Sequence, residues 1–272
     1  MLSTLSIGVG EHLAAGATER TRPNEVTATM FCSGAILTGL VALFWQGDPT
    51  TADLVFGGVA GIANGVAILM LYAAYSRGSL RSTAPVAAIV MTSVPVAWDV
   101  VVTGTAPSTL VWTGIGLGIA AIGLSSYQPG GVEDERFGIQ LAIAAGIAFG
   151  VLLILLGEIG DDAGGTPIFV QRSVGFVVAA AVARATGPRI FPAVRDERRG
   201  ALTIGVFATT AVILLVAALQ VGGCLAVVSV IGSQYAAVAV LLGVVFEGQR
   251  LRWTQTVGLI AASLAVALIT VG

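Results

Sequence analysis

Glu11 stands inside an apolar run, residues 1–17, that carries no basic residue. An ionisable group within such a run is costly unless it faces a cavity or a partner, and burial disfavours the charged form of a carboxyl group. Glu11 is therefore expected to exchange a proton. Its other reading is a structural carboxylate bonded to a neighbouring helix, or one near the interface because the run is short. His12 follows it and belongs to the residue type that titrates near neutral pH. Adjacent helical positions point about 100° apart, so the two are not expected to share one face. Arg172 lies about six residues inside another apolar run, roughly 9 Å deep at the helical rise. It is expected to clamp an anion or to lock a gate in a salt bridge; the competing reading is snorkelling to the headgroups. Asp99, Glu158 and Asp161 sit near the ends of such runs. Asn64, Tyr72, Tyr75, Gln234 and Tyr235 are uncharged candidates for lining a cavity, and Trp98 for stacking on a substrate. Residues of these types also bond helix to helix or form an interfacial belt.

Other chemistry lacks its residues. His12 is the single histidine, and Cys32 and Cys224 stand apart in apolar runs, so no metal centre, disulfide framework or nucleophile with its base is expected. No Gly-rich phosphate loop is present, which argues against ATP as energy source. No catalytic residue, metal or cofactor is expected, and an intramembrane enzyme ranks below the other classes. Hydrophobic residues make up 56% of the 272 and charged residues 10%. Soluble domains carry about 25% charge to cover their surface, so this chain cannot coat a globule. Mean hydropathy of +0.94 excludes disorder just as firmly. All thirteen basic residues are Arg, with a net charge of −2 and no stripe to track a phosphate backbone, so no nucleic-acid partner is expected. The composition is that of a polytopic membrane protein in contact with the lipid bilayer.

A helix crosses the hydrocarbon core with about 20 apolar residues. Ten such runs fall near 2–17, 26–46, 53–75, 82–102, 107–126, 136–157, 166–186, 200–219, 223–245 and 252–271. The first lacks a basic n-region and contains Glu11-His12, so it is expected to be a retained helix rather than a signal peptide. Arginines cluster in the odd connections: Arg20 and Arg22, Arg77 and Arg81, Arg136, then Arg189 to Arg199, then Arg250 and Arg252. Short cytoplasmic loops are enriched in Arg. The odd connections are expected to face the cytoplasm and both termini the outside. The acidic run 133–135 and the basic run 195–199 would both face the cytoplasm and could pair across the surface, but are expected as solvated loops. Pro85 and Pro95 should kink the fourth run, while the ninth lacks them, which predicts unequal bending.

Shifting the chain by 144 residues against itself aligns the third to fifth runs with the eighth to tenth. Ala73-Ala74 meets Ala217-Ala218, Gly78 meets Gly222, Val86 meets Val230, and Val94 and Val96 meet Val238 and Val240. Gly104 meets Gly248 and Gly114 meets Gly258. Each half then holds five spans, residues 1–127 and 136–272. Five is odd, so the second half must be inverted relative to the first. Inverted repeats are a common transporter architecture with the substrate site near the midplane between the halves.

The segment 218–272, "ALQVGGCLAVVSVIGSQYAAVAVLLGVVFEGQRLRWTQTVGLIAASLAVALITVG", resembles the carboxyl half of EamA-type members of the drug/metabolite transporter (DMT) superfamily. A small-residue turn, an apolar helix, the turn Gly248-Gln249-Arg250-Leu251 and a last helix opening with Gln and Gly follow that pattern, with Gln249 where the family usually has Glu. The first half repeats it as "YAAYSRGSLRSTAPVAAIVMTSVPVAWDVVVTGTAP", with Thr105 at the Glu position. "GVGEHLAAGATER" resembles the first helix of a subgroup, with Glu11 on its acidic position.

The fold expected is an all-α membrane protein of ten transmembrane helices in two inverted five-helix repeats. The resemblance implies a carrier that moves a small organic metabolite or drug by alternating access. Protons coupled through Glu11 are the expected driving ion. The alternative is a passive channel or uniporter-type facilitator. A prokaryotic plasma membrane is the expected location, and a monomer is expected because both repeats lie in one chain.

Overall fold

A computed structural model describes residues 2–78, 80–103, 108–126, 133–221, 235–247 and 253–271; the side chains of 81, 99, 100, 103, 119, 122, 123, 125, 126, 133–135, 247, 255 and 269–271 fall outside that description. Among the described residues there are ten helices and no strand. They are α1 (Leu2–Thr18), α2 (Pro23–Phe44), α3 (Thr51–Arg77), α4 (Leu80–Thr103), α5 (Thr109–Ser126), α6 (Glu133–Gly157), α7 (Thr166–Thr186), α8 (Arg195–Gln220), α9 (Tyr235–Glu247) and α10 (Trp253–Val271). The chain is an all-helical protein with several helices suited to a membrane. Among the described residues, five helices are long and apolar enough to cross one: α2, α3, α6 from Arg136, α7 and α8. Shorter apolar helical stretches lie in α4, α5, α9 and α10.

Local chemistry sets the helix starts. Pro23 opens α2 and Pro167 stands in the first turn of α7, where a missing N–H costs nothing. Thr50 and Asp53 form a capping box on α3, the Asp53 N–H donating to Thr50 Oγ1 at 3.2 Å and the Thr50 N–H to Asp53 Oδ2 at 2.7 Å. The charged runs 133–135 and 195–199 are not loops. They are the opening turns of α6 and α8, because acidic residues such as Asp196 and Glu197 favour the positive end of a helix. The helix α4 runs unbroken through Pro85 and Pro95.

Helix pairing has an internal regularity. The pair α1–α8 has a counterpart in α6–α3, α2–α8 in α7–α3, and α1–α9 in α6–α4, while α2 packs on α7 and α5 on α10. Advancing each helix by five positions converts one pair of each set into the other. Individual contacts follow the same rule. A side chain on Gly8 would run into Val238 and the Tyr235 carbonyl, and one on Gly150 into Val94 and the Met91 carbonyl. Val94 and Val238, like Met91 and Tyr235, stand 144 residues apart. Gly205 is approached by Met30 and Ser33, and Gly61 by Gln171 and Val174. Gly34 is approached by Arg172, and Gly175 by Phe31. Small residues let helices in lipid come this close, and hydroxyl groups bond across the seams: Ser3 Oγ donates to the Ala211 carbonyl at 3.0 Å and Ser6 Oγ to the Phe207 carbonyl at 2.7 Å.

At one end the connections around 45–50 and 158–165 clasp each other. The Gly165 N–H donates to the Trp45 carbonyl at 3.0 Å, Asp48 N–H to the Asp162 carbonyl at 2.9 Å, and Gly160 N–H to Asp53 Oδ1 at 2.8 Å. Gly164 carries the left-handed φ of 65° that this turn requires, a conformation open to glycine at no steric cost.

Crowding predicts which glycines can grow. A Cβ on Gly61 would meet the Gln171 carbonyl oxygen at 2.5 Å and one on Gly57 the Pro167 carbonyl oxygen at 2.6 Å, whereas Gly16 has nothing within 4 Å. Thermal unfolding in detergent should show Gly61→Val and Gly57→Val destabilised by about 1–3 kcal/mol from overpacking. Gly16→Ala should be neutral, or more stable by up to about 1 kcal/mol.

Candidate functional site

The helices α1, α3, α4, α6, α7, α8 and α9 surround a cavity of about 90 Å³ in the middle of the bundle. Its wall is mostly aliphatic: Ile7, Ile68, Met91, Phe149, Leu152, Leu153, Leu156, Ala208, Val212 and Leu215. Four polar residues interrupt it, Glu11, Asn64, Arg172 and Tyr235. A water needs about 10–15 Å³ of such space, so the cavity has room for several waters or a small organic group.

Glu11 comes from α1, which turns Ile7 and Glu11, one helical turn apart, toward the cavity. It is 5% exposed and accepts a hydrogen bond from Tyr75 Oη of α3 at 2.8 Å. Glu11 thus faces the cavity and bonds to a neighbouring helix. Tyr75 stacks on Tyr72 one turn earlier, the ring centroids 5.9 Å apart, and Tyr72 Oη donates to Met30 Sδ at 3.3 Å. His12 is only partly buried and is not among the cavity-lining residues, as the angle between adjacent helical positions requires.

Arg172 is turned inward and is 2% exposed, so it does not snorkel. Its Nη2 donates to the Ala208 carbonyl at 2.9 Å, and its guanidinium lies over the Phe31 ring, 5.4 Å from the centroid. That is the geometry of a cation–π contact. Among the described residues no ion pair joins Arg172 to Glu11 or to any other acid, and its Nε has no hydrogen-bond partner. The Tyr235 hydroxyl, the Thr209 hydroxyl and the Gln171 amide are also buried without partners. Buried polar groups are seldom left so. The cavity therefore combines one carboxyl group already held by a phenol, one cation with donor capacity to spare, and an apolar wall.

The remaining candidates fall elsewhere. Tyr72 is buried behind the wall. Trp98 is 52% exposed near the end of α4 and does not line the cavity. Glu158 and Asp161 are exposed in the clasped connection. The Asp99 side chain and all of Gln234 lie outside the described residues, as do Cys224 and the turn at 248–251. Sequence reasoning passed over Phe31, Thr209 and Gln171. Only Phe31 had a usable signal, since it stands 141 residues before Arg172, as Gly34 stands before Gly175.

The Tyr75–Glu11 bond makes a testable claim. Interhelical hydrogen bonds in membrane proteins contribute about 0.6 kcal/mol on average and up to about 1.7. A double-mutant cycle of Tyr75→Phe with Glu11→Gln, read by unfolding in mixed detergent, should give a coupling near the top of that range. A coupling indistinguishable from zero would mean the two groups do not bond.

No protein-family model and no curated protein matches the chain. Among solved structures, one described only as the crystal structure of a protein is similar along its whole length, with a TM-score of 0.68 and 16% identity, covering 99% of this chain and 94% of that one. That likeness is one of fold.

Proposed function

We propose that this chain is a secondary carrier of the drug/metabolite transporter type, related to the EamA group, that moves a small organic solute across a membrane by alternating access. Its ten helices would form two inverted five-helix repeats, 1–127 and 136–272, in one transmembrane domain. The observation that carries the proposal is the cavity between the helix sets that exchange partners. Its lining residues pair across them: Asn64 with Ala208, Ile68 with Val212 and Met91 with Tyr235 at a spacing of 144, and Ile7 with Phe149 and Glu11 with Leu153 at 142. A site at the junction of two similar halves is where inverted-repeat carriers bind substrate. An enzyme would need a nucleophile with its base or a cofactor site, and the cavity residues offer neither.

The scaffold repeats but the chemistry does not. Glu11 stands opposite Leu153 and Arg172 opposite Phe31, so each charge has an apolar counterpart. One cavity thus serves both access states while keeping a single coupling carboxyl group. The Arg-rich connections would face the cytoplasm of a prokaryotic plasma membrane, and the clasped connections 45–50 and 158–165 would then close the outer side. With both halves in one chain, a monomer suffices.

A thermal-shift screen of the purified protein against amines, amino acids, nucleosides and organic anions at about pH 6 and about pH 8 supplies the ligand, because binding to the folded state raises apparent stability. In proteoliposomes flux of that ligand should saturate and should accelerate when the same solute is placed on the far side. Its pH dependence should disappear in Glu11→Gln. Non-saturating flux without trans-acceleration would identify a passive channel. Unchanged pH dependence in Glu11→Gln would end the claim of coupling at that residue.

A further inference from the structure

Resting on the cavity as the substrate site, we propose that its substrate is a small monocarboxylate with an apolar body, and that one proton enters with each anion. Three features of the cavity support this. The first is the unequal state of the two charges. Glu11 already accepts from Tyr75 Oη, whereas Arg172 has spent only one donor, on the Ala208 carbonyl, and keeps its Nε free of any partner. A guanidinium presents its N–H groups in a planar fork that matches a carboxylate. The open binding capacity is therefore for an anion.

The second feature is a second free donor. Tyr235 lines the same cavity from α9, and its hydroxyl is buried with no partner. A buried hydroxyl left unpaired is costly, and a carboxylate oxygen on Arg172 is the kind of acceptor that would satisfy it. The third feature is the wall. Ile7, Ile68, Phe149 and Leu152 offer no group to bind an ammonium or a row of hydroxyls, and fit a short branched or aromatic body instead.

Charge balance brings in the proton. With Glu11 ionised and Arg172 cationic the cavity is neutral. Adding an anion leaves one uncompensated negative charge in a site of low dielectric, which is expensive. Protonating the Glu11 carboxylate restores neutrality, so anion and proton bind together and the loaded cavity carries no net charge. Few other groups compete for that proton. From α3 Tyr72 and Tyr75 face Glu11, from α9 Tyr235, and from α7 Arg172, while His12 on α1 itself is not part of the cavity wall. None of the lining residues of α4, α6 or α8 is ionisable.

Three compounds with one branched tail separate the possibilities: isovalerate, isopentylamine and leucine. Calorimetric titration of the full chain in detergent, repeated in buffers of different ionisation enthalpy, measures both affinity and protons taken up. Isovalerate should bind with uptake of about one proton per anion, and isopentylamine should not bind. Arg172→Gln should weaken isovalerate at least about tenfold, and Arg172→Lys, which keeps the charge and guards against a folding defect, should weaken it less. Glu11→Gln should still bind isovalerate with no proton uptake. Isopentylamine binding that is lost in Glu11→Gln, or leucine binding tighter than isovalerate, would overturn the anion assignment while leaving a carrier site in place. Isovalerate binding that ignores Arg172→Gln, binding without proton uptake, or no binding by any of the three would overturn it as well.

Discussion

Glu11 and Arg172 place an acid and a guanidinium in one buried cavity with no ion pair between them among the described residues. Taking an ion out of water costs several kcal/mol even after the protein relaxes, and a direct ion pair would be the simplest way to offset that. The bundle instead gives each charge a separate, partial compensation, Tyr75 for the carboxyl group and the Phe31 face with the Ala208 carbonyl for the guanidinium. Much of the architecture can be read as what this arrangement demands. The helix α1 must pass close to α8 and α9 through Gly8 and Gly10 to bring Glu11 inside, and Gly34 must be bare for the Arg172 stem to pass. Charges compensated this loosely are free to change partners, which a pair locked together is not.

In the proposed carrier, the regular pairing of helices is what would let one cavity serve two faces. Seams such as Gly8 on Val238 and Gly150 on Val94 match, so in the proposed carrier rocking one half against the other would exchange one set of contacts for an equivalent set. The polar residues break that equivalence, because their counterparts are Leu153, Ala208, Met91 and Phe31. On this view packing supplies the motion and the unmatched polar groups supply its selectivity and coupling.

The sequence made much of this legible, and where it failed the reason is physical. Apolar run length alone located most helices to within about five residues, since hydrophobicity is the first requirement of a span, while the first half of the ninth run, 223–234, lies outside the described residues. Glu11 and Arg172 stood out because charge is rare in such runs. The 144-residue register was visible in Val94 and Val238, which lie against corresponding glycines. The runs 133–135 and 195–199 misled because charge density reads as a loop, although acids at a helix start are stabilising. Trp98 has the chemistry to stack on a ligand but a position on the outside of α4, and periodicity could not decide which face of a nearly uniform apolar helix points inward. The partnership of Tyr75 with Glu11 spans 64 residues and exists only in the folded bundle.

Alternating access of the central cavity is the central claim, and its most direct test is thiol accessibility. Ile68→Cys places a reporter in the cavity wall, in a background where Cys32 and Cys224 are replaced by serine, and a membrane-impermeant thiol reagent is applied from each face in turn. A cysteine pair, Asp48→Cys with Asp162→Cys, can then be crosslinked to lock the clasp between the two connections. The account predicts labelling from both faces before locking. After locking, labelling from the clasp side should stop and labelling from the opposite face should speed up, because closing one face shifts the population to the other. Labelling from only one face throughout, or an opposite-face rate indifferent to the lock, would contradict it.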